Sequence, residues 1–361
     1  GFQSNGAAFT GKTEININGG KVQNLYAAGS GREQSVPTYS GTITINMQGG
    51  EVGNLYGAGS AAYVISDDGN PSTIKINMEG GIVTNIFAAG KGGDNEVKKG
   101  EKLSGDPSKF GSLTGIVNII IDGEAVVTNI YASGEGYVYN GGDYDTSKNA
   151  YLCGNATIPI KGNAQVKGGI YGGGKGITQE GFGKCARVTG ESVVKLFVQG
   201  NAVIFGNIYG GGENAEMEGN AYVSLSEDCN IKGNLYGGGK NGIVMGKTAV
   251  EIIGGIVEGS VYGGALGITG QRLVYGGSTI NMSAGWVKGN LYGGSELSDD
   301  GPKEGKPKDL IFVNLVGGTV SGNVFGGGYR GTVNGSTHLH IGEGASGECK
   351  YYQTHGGEKT E

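Results

Sequence analysis

The sequence predicts an all-β fold: a single-stranded parallel β-helix, or β-solenoid, of about 11 coils. Three observations predict it. A short motif (an aliphatic residue, an aromatic residue, then a glycine-rich turn) recurs ten times at a mean interval of about 33 residues. Upstream of each copy, aliphatic residues fall two apart, the period of a half-buried strand. Glycine supplies 79 of 361 residues, roughly three times its usual share, without the three-residue period of collagen.

The motif copies run from NLYAAG at 24–29 to NVFGGG at 323–328. Their aromatics are Tyr26, Tyr56, Phe87, Tyr131, Tyr171, Tyr209, Tyr236, Tyr262, Tyr292 and Phe325. The strand ahead of each copy carries an inward pair such as Ile15/Ile17, Ile45/Met47, Ile158/Ile160 or Val313/Leu315. An eleventh pair, Leu339/Ile341, begins a unit whose motif is degenerate, CKYYQTHGG. A third inward position follows the first turn, from Val22 to Val320. A fourth is the aliphatic residue before each aromatic, from Leu25 to Val324.

One such unit cannot bury its apolar face alone. Stacked units can, with equivalent residues about 4.8 Å apart along a rod. A right-handed path is expected by analogy with parallel crossovers. Repeated hairpins in a β-propeller or β-prism are the alternative, but they would favour Asn-Gly or Asp-Gly turns between antiparallel strands. Asn precedes the aliphatic residue in eight of ten motifs, and stacked amides can hydrogen-bond along the rod. Strict alternation from the inward aliphatic residue points the aromatic outward. The glycine bend after it could turn it back, so a buried stack and an exposed ring ladder both remain open, with the structural reading preferred.

Extra residues gather after the glycine-rich turn, chiefly at 91–112, 135–155, 175–190 and 296–309. Insertions at one corner decorate one side of a rod, which in solenoids is often the binding face. The 135–155 insert holds Tyr137, Tyr139, Tyr144 and Tyr151 beside Asp143 and Asp145. Rings with adjacent carboxylates suit a sugar, and a loop packing its own tyrosines is the plainer reading. Trp286, the single tryptophan, sits one residue before inward Val287 and is expected to face outward as a glycan platform or as part of a mildly apolar strip.

Other motifs carry less. GAAFTGKT at 6–13 matches the phosphate-loop pattern, but that loop needs a helix after it, and TEININ reads as a strand. No cofactor is expected. Loop calcium is the one candidate, at SDDGN (66–70), GGDNE (92–96), GGDYD (141–145) and SDDG (298–301), none with a known calcium-loop spacing. His338 and His340 share one strand side with no identifiable third ligand. The four cysteines include Cys153 and Cys185, about one repeat apart, for which a disulfide between coils and separate thiols are both open. Net charge is −6, which does not favour a nucleic-acid partner, and no apolar run is long enough to span a membrane. Lyases and hydrolases of acidic polysaccharides would place carboxylates and a basic residue on neighbouring coils. The outward mid-strand row instead reads Asn16, Asn46, Asn77, Ile120, Pro159, Phe197, Ser224, Glu251, Asn281, Asn314 and His340.

The signature in NMSAGWVKGNLYGG (281–294) and GGTVSGNVFGGG (317–328) resembles the glycine-rich β-helix repeats of large bacterial surface proteins, including adhesin-like proteins of gut anaerobes. That resemblance implies an extracellular, cell-surface location and a role in attachment or display. It carries over no functional residue, because the signature is structural. The expectation is one solenoid domain over 1–361, a piece of a longer surface protein, acting as a non-catalytic adhesion or scaffold module. It would bind host or bacterial glycans or surface proteins through the inserted loops, beside neighbouring domains of the same chain. A polysaccharide lyase or glycoside hydrolase with a loop-borne site is the alternative.

Overall fold

The alternating segments become eleven in-register strands. In a computed structural model, residues 8–31, 37–67, 70–93, 109–138, 148–178, 184–302, 310–342, 352–355 and 358–360 are described. The first face of the rod runs from Ala8–Tyr26 and Thr38–Tyr56 through Ser72–Met78, Leu113–Ile121, Ala156–Ile160 and Val193–Val198. It continues through Asn220–Leu225, Thr248–Val257, Ser278–Val287, Ile311–Leu315 and Thr337–Ile341. Each strand pairs in parallel with the next coil's, so Ile45 lies between Ile15 and Ile76, and Leu196 between Ile158 and Val223. Short second-face strands such as Val203–Ile204 stack the third inward position, and Ile208–Tyr209 and its equivalents stack the motif. Among the described residues there is no α-helix, and none is therefore long and apolar enough to cross a membrane. The phosphate-loop match accordingly enters the long strand Ala8–Tyr26.

The inward positions form one continuous core running the length of the rod. Each Leu, Ile or Val removed from water there contributes about 1.5–3 kcal/mol before the entropic cost of ordering. The pattern fails only at the ends. Val22 is 40% and Ile341 58% exposed, because the described chain places a coil on only one side of each. Beyond the last parallel strand, Tyr352–His355 runs antiparallel to Thr337–Leu339 and ends the parallel stack. The degenerate eleventh motif thus supplies a hairpin strand instead of another rung.

Eight of the ten motif aromatics are buried, which resolves the orientation that strand alternation left open; at the ends Tyr26 is half-buried and Phe325 is 42% exposed. Tyr56, Phe87, Tyr131, Tyr171, Tyr209, Tyr236, Tyr262 and Tyr292 form a second buried column beside the aliphatic core. All ten rings stack, with centroids 4.7–5.1 Å apart and planes within 5–9° of parallel. The chain folds back after the glycine turn and covers the ring edges with charged residues. Tyr56 donates to Glu135 Oε2 at 2.6 Å and Tyr131 to Glu213 Oε2 at 2.7 Å. Lys175 pairs with Glu135 and Lys240 with Glu213, each at 2.9 Å. Burial, then the adjacent carboxylate, pushes the Tyr56 and Tyr131 phenols well above their ordinary range.

The Asn ladder forms in the early coils. Asn54 donates to Asn24, Asn85 to Asn54 and Asn129 to Asn85, at 2.8–3.0 Å. In later coils a glycine bend precedes the Asn, and its amide oxygen instead accepts the next coil's backbone N–H, as Asn207 does from Asn234 and Asn290 from Asn323. Cys153 is a free thiol in register with Thr114 and Thr189, four residues past Cys185, so no disulfide joins Cys153 to Cys185.

A third face follows the inserts. Its inward column runs Val64, Leu113, Leu152, Val188, Met217, Val244, Val274, Asp300 and Val333. Asp300 stands where every neighbour is apolar. Its carboxyl accepts from Ser295 N–H at 2.7 Å and Ser295 Oγ at 2.5 Å, and burial pushes it up to about 7. An acid raised on folding favours the folded state most below its unfolded value of about 3.9, and that advantage is lost as pH rises toward about 7. The loss is expected to be on the order of a few kcal/mol. Urea midpoints at pH 5 and pH 8 should therefore differ less in Asp300→Asn than in the parent. An equal pH dependence in both would mean that Asp300 ionises freely in the fold.

Candidate functional site

Before the first turn of the first five coils, the sequence places a polar side chain: Asn18, Gln48 and Glu79 ahead of a glycine pair, then Asp122 and Lys161 before single glycines. The turn itself needs glycine. Gly81 has φ +84°, and a Cβ there would meet Met47 Cε at 2.6 Å and Gly50 O at 2.9 Å. Repetition of this turn stacks the polar side chains in a row parallel to the outward strand row Asn16, Asn46, Asn77 and Ile120. Between the two rows runs a groove of about 550 Å³, where half-buried Ile120 adds apolar surface, while Met47 and Met78 lie beneath it, buried in the core.

The groove's amides are already organised. Asn46 Nδ2 donates to Asn16 Oδ1 and Asn77 Nδ2 to Asn46 Oδ1, both at 2.9 Å. An amide offers two N–H donors and two acceptor lone pairs. Asn46 uses one of each within the row and leaves the others for a ligand; Asn16 also donates to Glu14 at 3.2 Å, and the row of three amides ends where Ile120 follows Asn77. At the far end, Asp122 accepts from Gly123 N–H at 2.7 Å and pairs with Lys161 at 3.0 Å. The backbone bond, reinforced by Lys161 against a smaller opposing effect of burial, holds Asp122 below the usual carboxylate range. It is thus an ionised acceptor at neutral pH and not a proton donor.

Among the described residues singled out from sequence, Trp286 lies apart from Tyr137 and Tyr151. Tyr137 and Tyr151 flank the insert at the corner after the motif. Its base is clamped by buried Asn149, which donates to Tyr137 O at 2.8 Å and accepts from Tyr137 N–H at 3.0 Å. Tyr151 packs edge-on against Tyr63, centroids 6.4 Å apart. Its ring therefore contributes to loop packing. Tyr139, Asp143, Tyr144 and Asp145 lie outside the described residues. The inserts do leave from a single corner, since Ser30, Ser60, Lys91, Glu135, Lys175 and Glu213 are bridged in succession ahead of them. Trp286 lies on the second face, several coils away. It points outward as expected, with Nε1 donating to Ser321 Oγ at 2.7 Å.

The acidic spots among the described residues lead elsewhere, while 94–96 and 141–145 lie outside them. At 298–301, Asp300 is buried and Asp299 Oδ1 accepts from Thr332 N–H. Asp67 begins a turn closed by Asn70 N–H. Glu251, the one carboxylate in the outward row, accepts from Tyr222 and Ser224 hydroxyls. Among the described residues no three His, Cys, Asp or Glu side chains converge as a metal site would require. His338 stacks on Phe312 with centroids 4.9 Å apart. Reading strands inward from their aliphatic pairs misses the groove, because its second wall comes from turn residues. The signal was present as the polar residue repeated before the glycine turn of the first five coils. Comparison with known proteins finds no matching family model, curated relative or solved structure.

Proposed function

We propose that the chain is a non-catalytic extracellular adhesion or scaffold module that binds glycans along the side of its rod. The observation that carries this reading is the amide-lined groove, where ready-made donors and acceptors repeat at the coil spacing of about 4.8 Å. That spacing is close to the length of a pyranose ring along an extended chain, so successive sugar hydroxyls can meet successive coils. Ile120, half-buried at the groove's edge, offers apolar contact for the C–H faces. This reading differs from binding through the inserts alone in placing the glycan on a rigid strand face. The surface location and a role in attachment to host or bacterial glycans rest on the resemblance of the glycine-rich repeats.

A panel of neutral linear gluco-, xylo- and manno-oligosaccharides, titrated calorimetrically, tests the proposal. At least one should bind, and Asn46→Ala with Asn77→Ala should weaken it about tenfold, from two lost neutral hydrogen bonds of about 0.5–1.5 kcal/mol each. Both side chains point outward, so the fold should be kept, with the melting temperature lowered only by the loss of the two ladder hydrogen bonds. Absence of binding across the panel, or binding indifferent to the double variant, would sink it. Release of shortened or unsaturated chains would turn the reading toward a hydrolase or lyase.

A further inference from the structure

The second face of the later coils carries an unusual combination of exposed groups. Val166, Ile204, Ile231, Val257, Val287 and Val320 stack inward in register. The residue after each is therefore presented outward in one row: Lys167, Phe205, Lys232, Glu258, Lys288 and Ser321. In the adjacent outward row, Trp286 lies beside Ile256 and Thr319. Phe205 is 44% and Trp286 42% exposed.

Each exposed ring is accompanied by an ammonium group. Lys167 Nζ lies 3.9 Å from the Phe205 centroid and Lys288 Nζ 5.0 Å from that of Trp286. Such pairs are weakly attractive in themselves. Their chemical content is an apolar ring face and a positive charge presented side by side. The two pairs lie about three coils, or roughly 14 Å, apart along the rod axis. Lys232 stands between them. The one opposing charge, Glu258, is held by Lys288 at 2.6 Å and Lys232 at 3.4 Å. The row thus keeps an excess of positive charge on a chain whose net charge is −6.

We propose that this strip is a second binding site, for a linear acidic polysaccharide lying along the rod. The sugar C–H faces would rest on Trp286 and Phe205, with sulfate or carboxylate groups meeting Lys167, Lys232 and Lys288. This goes beyond the groove and stands whether or not the groove binds a neutral glycan. Two ring–ammonium pairs aligned with the axis suit a regular polymer. Glu258 sets the strength of the site by competing with the ligand's acid groups for two of its three lysines.

Trp286 is the only tryptophan, so its fluorescence reports directly on the site. The probes are dextran sulfate, polygalacturonate, uncharged dextran and single-stranded oligothymidylate. At least one acidic polysaccharide should change the emission saturably, and dextran should not. Lys232→Ala and Lys288→Ala should each weaken binding up to about fivefold, the range of an exposed ion pair. Glu258→Gln should tighten it by up to a similar factor, a gain that misfolding cannot imitate. Phe205→Ala should weaken it, and Asn46→Ala with Asn77→Ala should leave it unchanged.

Four results would overturn the proposal. These are no emission change with either acidic polymer, a Glu258→Gln variant that binds no more tightly, oligothymidylate binding as tightly as the polysaccharides, or parallel loss in the groove variant.

Discussion

Tyr131→Ala is expected to lower stability by about 3–5 kcal/mol, the range for removing a buried aromatic side chain. The ring is buried and lies between Phe87, at 4.8 Å, and Tyr171, at 4.7 Å. The neighbouring rings are held by their own coils, so the gap cannot close, and two stacking contacts of about 0.5–1.5 kcal/mol are lost with it. Tyr131→Phe separates packing from hydrogen bonding. Phenylalanine already occupies the equivalent position at Phe87, and Glu213 retains Lys240 at 2.9 Å. That variant should lose no more than about 1.5 kcal/mol.

The alanine variant should also change the shape of unfolding. In a stack of coils, stability is approximately a sum over units and their nearest-neighbour contacts. Weakening the fourth motif therefore lets the two flanking segments unfold at different urea concentrations. Circular dichroism should show a broadened or two-step transition in Tyr131→Ala and a single one in Tyr131→Phe. Equal losses in the two variants would mean that the ring column adds little beyond its hydroxyls.

Gly172→Ala is expected to be similarly damaging, from a single added methyl. A Cβ at Gly172 would lie 1.8 Å from the carbonyl oxygen of Gly210 and 2.7 Å from its carbon. No rotamer change can relieve this, because the obstacle is the next coil's backbone. Overpacking of side chains costs about 1–3 kcal/mol, and a backbone clash belongs at or above the top of that range. The two coils would have to separate locally and give up the Gly172 N–H bond to Tyr209 O, 2.9 Å long. Gly19→Ala is the control, since nothing lies within 4 Å of a Cβ there. Soluble expression and urea midpoint should fall sharply for Gly172→Ala and stay level for Gly19→Ala. Parental stability in both would show that coil spacing yields more easily than the geometry implies.

The same column shows how sequence and spacing are matched. Ala27, Ala88 and Ala132 occupy it in coils whose strand runs unbroken into the motif: Ala8–Tyr26, Ile82–Phe87 and Val126–Tyr131. Later coils break the strand at a glycine before the motif and carry glycine in the column. The second coil departs from this, carrying Gly57 in the column although its strand Thr38–Tyr56 runs unbroken, so the shift from AAG to GGG only partly follows the change in backbone path.

Much of the fold was legible because its signals are local and repeated. Period two identifies a strand and its inward side without knowledge of any neighbour. The aliphatic pairs were read correctly from Ile45/Met47 to Val313/Leu315. Where that reading failed, at Val22 and Ile341, the missing factor was a coil on the outer side. Trp286 was correctly read as outward by the same rule. Its ammonium neighbour was not legible, because Lys288 reaches it through a side-chain conformation.

By itself, then, the sequence determined the strands, their inward residues, the parallel stacking and the single corner from which the inserts leave. Each follows from alternation and glycine turns within about 30 residues of chain. Only the tertiary structure decided the rest. It turned eight of the ten aromatics into a buried column, set Asp300 in an apolar row, joined strand amides to turn residues in a groove and aligned lysines with rings on the second face. The physical reason is the same throughout. Alternation says which way a side chain leaves its own strand, whereas what it meets depends on backbone bends and on residues 30 to 80 positions away, brought together by stacking.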